Sequence, residues 1–178
     1  MAIEFTAPQA AEANVRRALQ AGVPVVTGTT GWETDVLRNG YPSDATGWIW
    51  SSNFSIGVNI MFAVNRYLAR LMQPFAQYHP ALTETHHIHK LDKPSGTAKR
   101  LLCDLQTAGC HDVPVESIRE GEVVGIHTVE WGSAEDTVAL THTAKSREGF
   151  ALGAVLAAEW LKGRRGFHTM QEVMNINV

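Results

Sequence analysis

Glu84-Thr85-His86-His87-Ile88-His89-Lys90-Leu91-Asp92-Lys93-Pro94-Ser95-Gly96-Thr97-Ala98 is the stretch whose reading decides the fold. It places three imidazoles and a lysine within the five residues His86 to Lys90, then a Pro-Ser-Gly-Thr turn that leads into helix-forming residues. Imidazole and ammonium groups exchange protons near neutral pH when their pKa values are tuned. A helix start made of small residues leaves backbone N–H groups free to hold an anion. Proton donors beside an anion cradle point to chemistry on a carboxylate or phosphate. A metal reading competes with this one. If residues 82 to 89 form a strand, His87 and His89 share one face and His86 and Ile88 the other. Two imidazoles could then ligate zinc, but no third ligand stands at a recognisable spacing, and Cys103 and Cys110 form no CxxC pair. A plain polar strand end is the remaining alternative, and the turn that follows weighs against it.

Upstream, Ile3 to Phe5 reads as the end of a buried strand, and Thr6 as the cap of a helix from about Pro8 to Ala21, with Gly22 as its stop. Val23 to Val26 is a short apolar strand, and Gly28-Thr29-Thr30-Gly31 follows at its carboxyl end, where open parallel sheets bind ligands. An ordinary turn is the alternative for those glycines. Asp35 to Tyr41 is a weak helix and Trp48 to Ser51 another strand. Ser52-Asn53-Phe54 marks a hinge.

Downstream of the hinge, Val58 to Met72 forms a helix whose Val58, Met61, Phe62, Leu68 and Met72 bury a broad face as core. After the central stretch come a helix from Ser95 to Thr97 onward, a loop from Ala108 to Pro114, and a strand Val115 to Arg119. Val123 to Trp131 and Asp136 to Ala144 alternate as paired strands joined by Gly132 to Glu135. The expected architecture is α/β: part of a Rossmann-like parallel sheet, plus an α+β unit with a four-stranded mixed sheet on two helices. His127 and His142 are expected on a strand face, with His79, His111 and His168 at the surface. Phe150 to Leu161 is an Ala-rich helix stopped at Gly163, followed by a solvated Arg164-Arg165 pair.

The 178 residues carry 44% hydrophobic residues, enough for a core, and a net charge of -3. With a pI of about 6.2, nothing favours nucleic acid. Attraction for an acidic substrate must be local, from Lys90, Lys93, Lys99 and Arg100. No apolar run is long enough for a membrane span, and nothing reads as a signal peptide. Two cysteines without framework spacing suit a reducing cytoplasm.

The segment E-T-H-H-x-H-K-L-D-K-P-S-G-T-A resembles the signature of the dihydrodipicolinate reductases (4-hydroxy-tetrahydrodipicolinate reductases), E-x-H-H-x-x-K-x-D-x-P-S-G-T-A. Other segments agree in order. Glu4-Phe5-Thr6-Ala7-Pro8 is similar to the family's D/E-F-[ST]-x-P, and Gly22 to Gly31 to its G-x-x-x-V-x-G-T-T-G. Ser51 to Asn59 is similar to its A-x-N-F-S-x-G-V-N, and Ser146-Arg147 with the following helix to its S-R-x-x-F-A-x-G-A. The resemblance covers essentially the whole chain. It implies a split nucleotide-binding domain at residues 1–53 and 147–178, and a substrate and assembly domain at 54–146.

The resemblance also implies reduction of a cyclic dicarboxylate by NADH or NADPH in the diaminopimelate route to lysine, by a cytoplasmic homotetramer that pairs its substrate-domain sheets. It assigns acid/base work to His86, proton donation to Lys90, and the substrate-carboxylate cradle to His87, Ser95, Gly96 and Thr97. Thr30 is assigned to both substrate and cofactor, and Gly28, Thr29, Ser51, Ser52, Asn53 and Phe54 to the nicotinamide end. One departure stands out: the family's opening strand and G-x-x-G-x-M-G turn have no counterpart, nor do three glycines fall at the Rossmann fingerprint spacing. A chain without that turn is expected to hold a dinucleotide weakly, to have a less stable 1–53 segment, and to lack reductase activity alone. A non-catalytic binding or assembly subunit is the alternative reading, and a His-cluster metal enzyme the third.

Overall fold

A computed structural model describes residues 1–176, which divide into two compact units. The first comprises Met1–Ile56 and the segment from Glu148 onward, and the second Gly57–Arg147.

The first unit is built on a four-stranded sheet of β1 (Ala2–Glu4), β2 (Val25–Thr27), β3 (Trp48–Trp50) and β8 (Phe167–His168), in that order and parallel throughout. Successive residues of these strands point to opposite faces. Val25 and Trp48 therefore pack with Val15 and Leu19 of α1 (Pro8–Gln20), while Val26 and Ile49 pack with Ala154, Ala157 and Leu161 of α5 (Glu148–Leu161). Gly22 ends α1 in the left-handed region at φ 70°, as its sequence position suggests. The start of α1 differs from expectation. Ala7 is the cap residue and makes no side-chain cap bond, while Pro8 supplies the preset first turn. The Thr6 hydroxyl bonds the Glu4 carboxylate instead, because an ionised oxygen is the stronger acceptor. Short helices α2 (Asp35–Arg38) and α6 (Met170–Val173) complete the unit. Arg164 and Arg165 are less free than a solvated pair: Arg164 stacks 4.0 Å above the Trp160 ring and Arg165 bonds the Asp44 carbonyl.

The second unit contains α3 (Ile56–Met72), β4 (His79–His86), α4 (Gly96–Thr107), β5 (Val115–Arg119), β6 (Gly125–Gly132) and β7 (Thr137–Ala144). Its sheet order is β5-β4-β6-β7, with β5 parallel to β4 and the other pairs antiparallel. Val58, Met61 and Phe62 of α3 and Leu101 and Leu105 of α4 bury one face of it against Leu82, Val129 and Trp131. Both the mixed sheet and the paired helices are as the sequence predicts. The strand does not run on to residue 89, however. The His86 carbonyl takes the Glu120 N–H, and the chain then turns, with Lys90 N–H on the His87 carbonyl. His79, expected on the surface, is the exposed first residue of β4.

The tightest packing in the first unit lies where α5 crosses Phe54. A Cβ at Gly153 would collide with the Phe54 carbonyl. Alanine there would favour the helix by ~1 kcal/mol, yet overpacking against backbone costs ~1–3 kcal/mol. Gly153→Ala should therefore lower the urea midpoint, and an unchanged or higher midpoint would contradict this approach.

Candidate active site

Two buried glutamates organise the polar chemistry, one in each unit. In the second, Glu84 lies on the helix-covered face of β4 with no exposed surface. Strand register sets Ser117 of β5 and His127 of β6 beside it, and His86 follows two residues along on the same face. The Ser95 N–H donates to both carboxylate oxygens, at 3.0 and 3.1 Å, and Arg119 Nη2 donates to Oε1 at 3.1 Å. Burial pushes this carboxyl up, but hydrogen bonds from Ser95, Ser117 and Arg119 outweigh it and hold the group below its ordinary range.

His86 Nδ1 lies 3.3 Å from Glu84 Oε2, off hydrogen-bond alignment. His127 Nε2 lies 3.8 Å from the same oxygen and 3.1 Å from Ser95 Oγ, and the two imidazoles meet edge to face at 4.9 Å. Burial pushes His86 down, opposed by the Glu84 charge and aided by Lys90 and Arg119. Burial, aided by His86, pushes His127 down to about 4. Both rings are therefore neutral at pH 7.

The following turn carries Lys90, whose Nζ pairs with Asp92 at 2.7 Å. Arg119 fastens this turn to β5 through the Lys90 and Asp92 carbonyls, at 3.2 and 2.6 Å. Ser95 then caps α4, its Oγ accepting the Ala98 N–H at 3.2 Å. The Ser95 N–H is on Glu84, so a carboxylate already sits at this helix start. His86, Lys90 and Ser95 thus belong to one connected network through Glu84 and Arg119. His87 is half-buried in the turn, its ring 6.1 Å from the exposed His89, and Thr97 is half-buried in the first turn of α4. Exposed Lys93, Lys99 and Arg100 stand along the same segment, with Arg100 Nε paired to Asp104 at 3.2 Å.

The first unit repeats the device. Glu4, at the carboxyl end of β1, accepts from the hydroxyls of Thr27, Thr6 and Thr29 and from the Thr6 N–H. Burial raises its pKa, but these bonds prevail and lower it. The Thr29 carbonyl takes the indole N–H of Trp32 at 2.8 Å and of Trp50 at 3.0 Å, which fixes the Gly28-Thr29-Thr30 loop. Gly28 lies under the Phe5 ring, where a Cβ would clash, and Thr30 is exposed. Ser51 Oγ bonds the Asn53 carbonyl at 2.7 Å and Asn53 Oδ1 takes the Ser55 N–H at 2.9 Å, shaping the turn that holds exposed Ser52. Phe54 is 1% exposed and packs in the core, edge-on to Phe5.

Sequence reasoning gave no role to Glu4, Glu84, Arg119 or His127. Glu84 and His86 share one strand face in the structure, and the partners that make an acid tolerable there come from other segments. Among the described residues, Glu84, His86 and His127 are the group whose ligand atoms lie close enough to hold a metal, all within 4.8 Å. They suit one poorly, because Arg119 and the Ser95 N–H already neutralise the carboxylate.

Neutral His127 links stability to pH. Unfolded, its imidazole takes a proton below about 6.5; folded, only below about 4. Its contribution is therefore fully present above pH ~6.5 and is lost as pH falls toward ~4. Thermal midpoints should fall across that window, and His127→Gln should flatten the slope. An equally steep slope in the variant would contradict the burial of a neutral ring.

The family model described as "Dihydrodipicolinate reductase, N-terminus" matches residues 1–54, and "Dihydrodipicolinate reductase, C-terminus" matches residues 57–174. A 4-hydroxy-tetrahydrodipicolinate reductase of Christiangramia forsetii is 42% identical over 98% of this chain and 79% of its own length. Its namesake in Archaeoglobus fulgidus is 38% identical over 97% of this chain and 74% of its own. A solved structure titled as dipicolinate-bound dihydrodipicolinate reductase from Paenisporosarcina sp. TG-14 shares the fold at TM-score 0.77 and 21% identity, covering 98% of this chain and 72% of that one. Two parallel- and mixed-sheet units, and family matches that together run from residue 1 to 174, lead to one conclusion: the chain belongs to the dihydrodipicolinate reductase family and is an oxidoreductase.

Proposed function

We propose that this chain supplies the catalytic and substrate-binding residues for reduction of dihydrodipicolinate, formed from 4-hydroxy-tetrahydrodipicolinate by loss of water, to tetrahydrodipicolinate with NADH or NADPH, in the diaminopimelate route to lysine in the cytoplasm. The observation that carries this reading is the α4 start, where the Ser95 N–H holds the Glu84 carboxylate and exposed Gly96 and half-buried Thr97 follow. A helix start that holds one carboxylate through a backbone N–H has the chemistry to hold another. The relatives named as reductases favour catalysis over a purely assembling subunit.

The first unit fits a nicotinamide. Its parallel strands β2 and β3 end at Thr27 and Trp50, and the loops with Gly28, Thr29 and Thr30 and with Ser51, Ser52, Asn53 and Phe54 follow at that end. Thr29 and Phe54 would act there through backbone groups, since the Thr29 hydroxyl serves Glu4 and the Phe54 ring lies in the core. Bound there, the nicotinamide would supply a hydride to the conjugated C=C–C=N unit of the substrate, leaving an enamine to be protonated at carbon. In this reading Lys90, steadied by Asp92, delivers that proton, and His86 is the acid/base partner. Gly96, Thr97 and His87 hold a substrate carboxylate. Ser95 shapes the cradle, because its N–H and hydroxyl are committed to Glu84 and His127. Thr30 serves both substrate and cofactor.

The homotetramer is part of the same proposal. Thr137, Ala139, Thr141 and Thr143 of β7 leave an exposed sheet face opposite the helices, suited to pairing with another copy. Among the described residues no helix is long and apolar enough to cross a membrane.

The test follows substrate-dependent oxidation of NADH and NADPH, with calorimetric titration of pyridine-2,6-dicarboxylate. In a complete enzyme, with the Gly-rich dinucleotide-binding turn present, His86→Ala and Lys90→Ala should each lower turnover ~10²–10⁴-fold. Thr97→Val should weaken dicarboxylate binding. Wild-type turnover in both alanine variants, or equal affinity in Thr97→Val, would sink the corresponding assignment.

A further inference from the structure

The two ring nitrogens of His86 have unlike surroundings. Nδ1 is 3.3 Å from Oε2 of Glu84, a carboxylate with no exposed surface. Nε2 faces Gly125 of β6, where a Cβ would stand 3.1 Å from it, so the bare glycine leaves room at that nitrogen. A lone pair on Nδ1 would confront an anionic oxygen, whereas an N–H would be attracted to it. From this we infer that Glu84 is a positioning residue that fixes the proton of His86 on Nδ1 and leaves Nε2 as the atom that takes up and releases the reacting proton. The inference rests on the acid/base reading of His86.

The rest of the network supports that polarity. The Ser95 N–H reaches both carboxylate oxygens of Glu84, whereas the charged donor, Arg119 Nη2, reaches Oε1 alone. The anionic character left at Oε2 is aimed at the two imidazoles, with His86 nearer at 3.3 Å and His127 at 3.8 Å. The charged and titratable groups around His86 are Glu84 on its own strand, His127 on β6, Arg119 on β5, and Lys90 and Asp92 on the turn. Of these, Glu84 is the stronger acidic influence on the ring, and it opposes burial, Lys90 and Arg119. Glu84 therefore sets both which nitrogen bears the resting proton and how readily the second is gained.

Glu84→Gln separates this role from mere packing. Ser95 and Arg119 would keep the amide oxygen at the Oε1 place, so the amide NH₂ would take the Oε2 place and point at Nδ1. That arrangement favours the opposite tautomer, with the proton on Nε2. The measurement is the pair of imidazole ¹⁵N shifts of His86 followed through a pH titration. The wild type should show Nδ1–H. Glu84→Gln should invert the tautomer, move the His86 midpoint to lower pH, shift any His86-controlled limb of the pH–rate profile the same way, and lower turnover ~10²–10⁴-fold. A wild-type Nε2–H tautomer, or an unmoved midpoint in the variant, would overturn the inference. Should the variant not fold, the wild-type shifts decide alone. An intact Nδ1–H tautomer in an enzyme whose rate ignores His86→Ala would count against the acid/base reading and leave the hold of Glu84 on the ring in place.

Discussion

A buried, ionised carboxylate is the constraint on which the second unit depends. Glu84 sits on the core-facing side of a central strand, where an unpaired charge could not be tolerated. It is kept there because three other segments answer it: Arg119 from β5, Ser95 from the cap of α4, and His86 and His127 from the strand floor. Breaking a buried pair of this kind by removing one partner costs ~3–5 kcal/mol. The same bonds that make the charge tolerable also set the angle of the turn, the start of the helix and the plane of the histidine. Arg119 extends the hold to the carbonyls of Lys90 and Asp92, so the turn that carries Lys90 is not a loose loop.

The first unit uses the same solution at smaller scale. Glu4 gathers the hydroxyls of Thr6, Thr27 and Thr29 at the end of a parallel strand. The result is a fixed path for the loop that leaves β2, with the Thr29 carbonyl pinned by two indoles. Functional loops held by a rigid frame meet their ligands with little ordering still to be done. In the proposed reading Thr30, Ser52, Lys90, Gly96 and Thr97 are exposed or half-buried and His86 is buried, and buried acids and their donors aim them.

Much of this was legible in the sequence, for identifiable reasons. Apolar spacing gave α3 nearly to the residue, because Val58, Met61 and Phe62 recur at the helical period. Alternation gave β6 and β7, and the small residues at Ser95 and Gly96 gave the capped start of α4. Local pattern failed where a long-range partner wins. Thr6 looks like a cap from its neighbours alone, and only the fold reveals that Glu4 takes its hydroxyl. His127 looks like an ordinary strand residue until register sets it opposite Glu84. The acid in E-T-H-H reads as polar surface unless the strand is known to be central and covered. Its i, i+2 spacing from His86 was the available signal. Burial of an acid is a property of its partners, and Ser95, Arg119 and His127 lie 11, 35 and 43 residues away along the chain.

The most direct measurement is the ¹³C resonance of the Glu84 side-chain carboxyl as pH is lowered while the protein remains folded. A carboxylate held by Ser95, Ser117 and Arg119 should stay ionised through the ordinary glutamate range and titrate below it. A Glu84 that takes up its proton at or above the ordinary value of 4.5 would be governed by burial alone, and the network built on its charge would not hold.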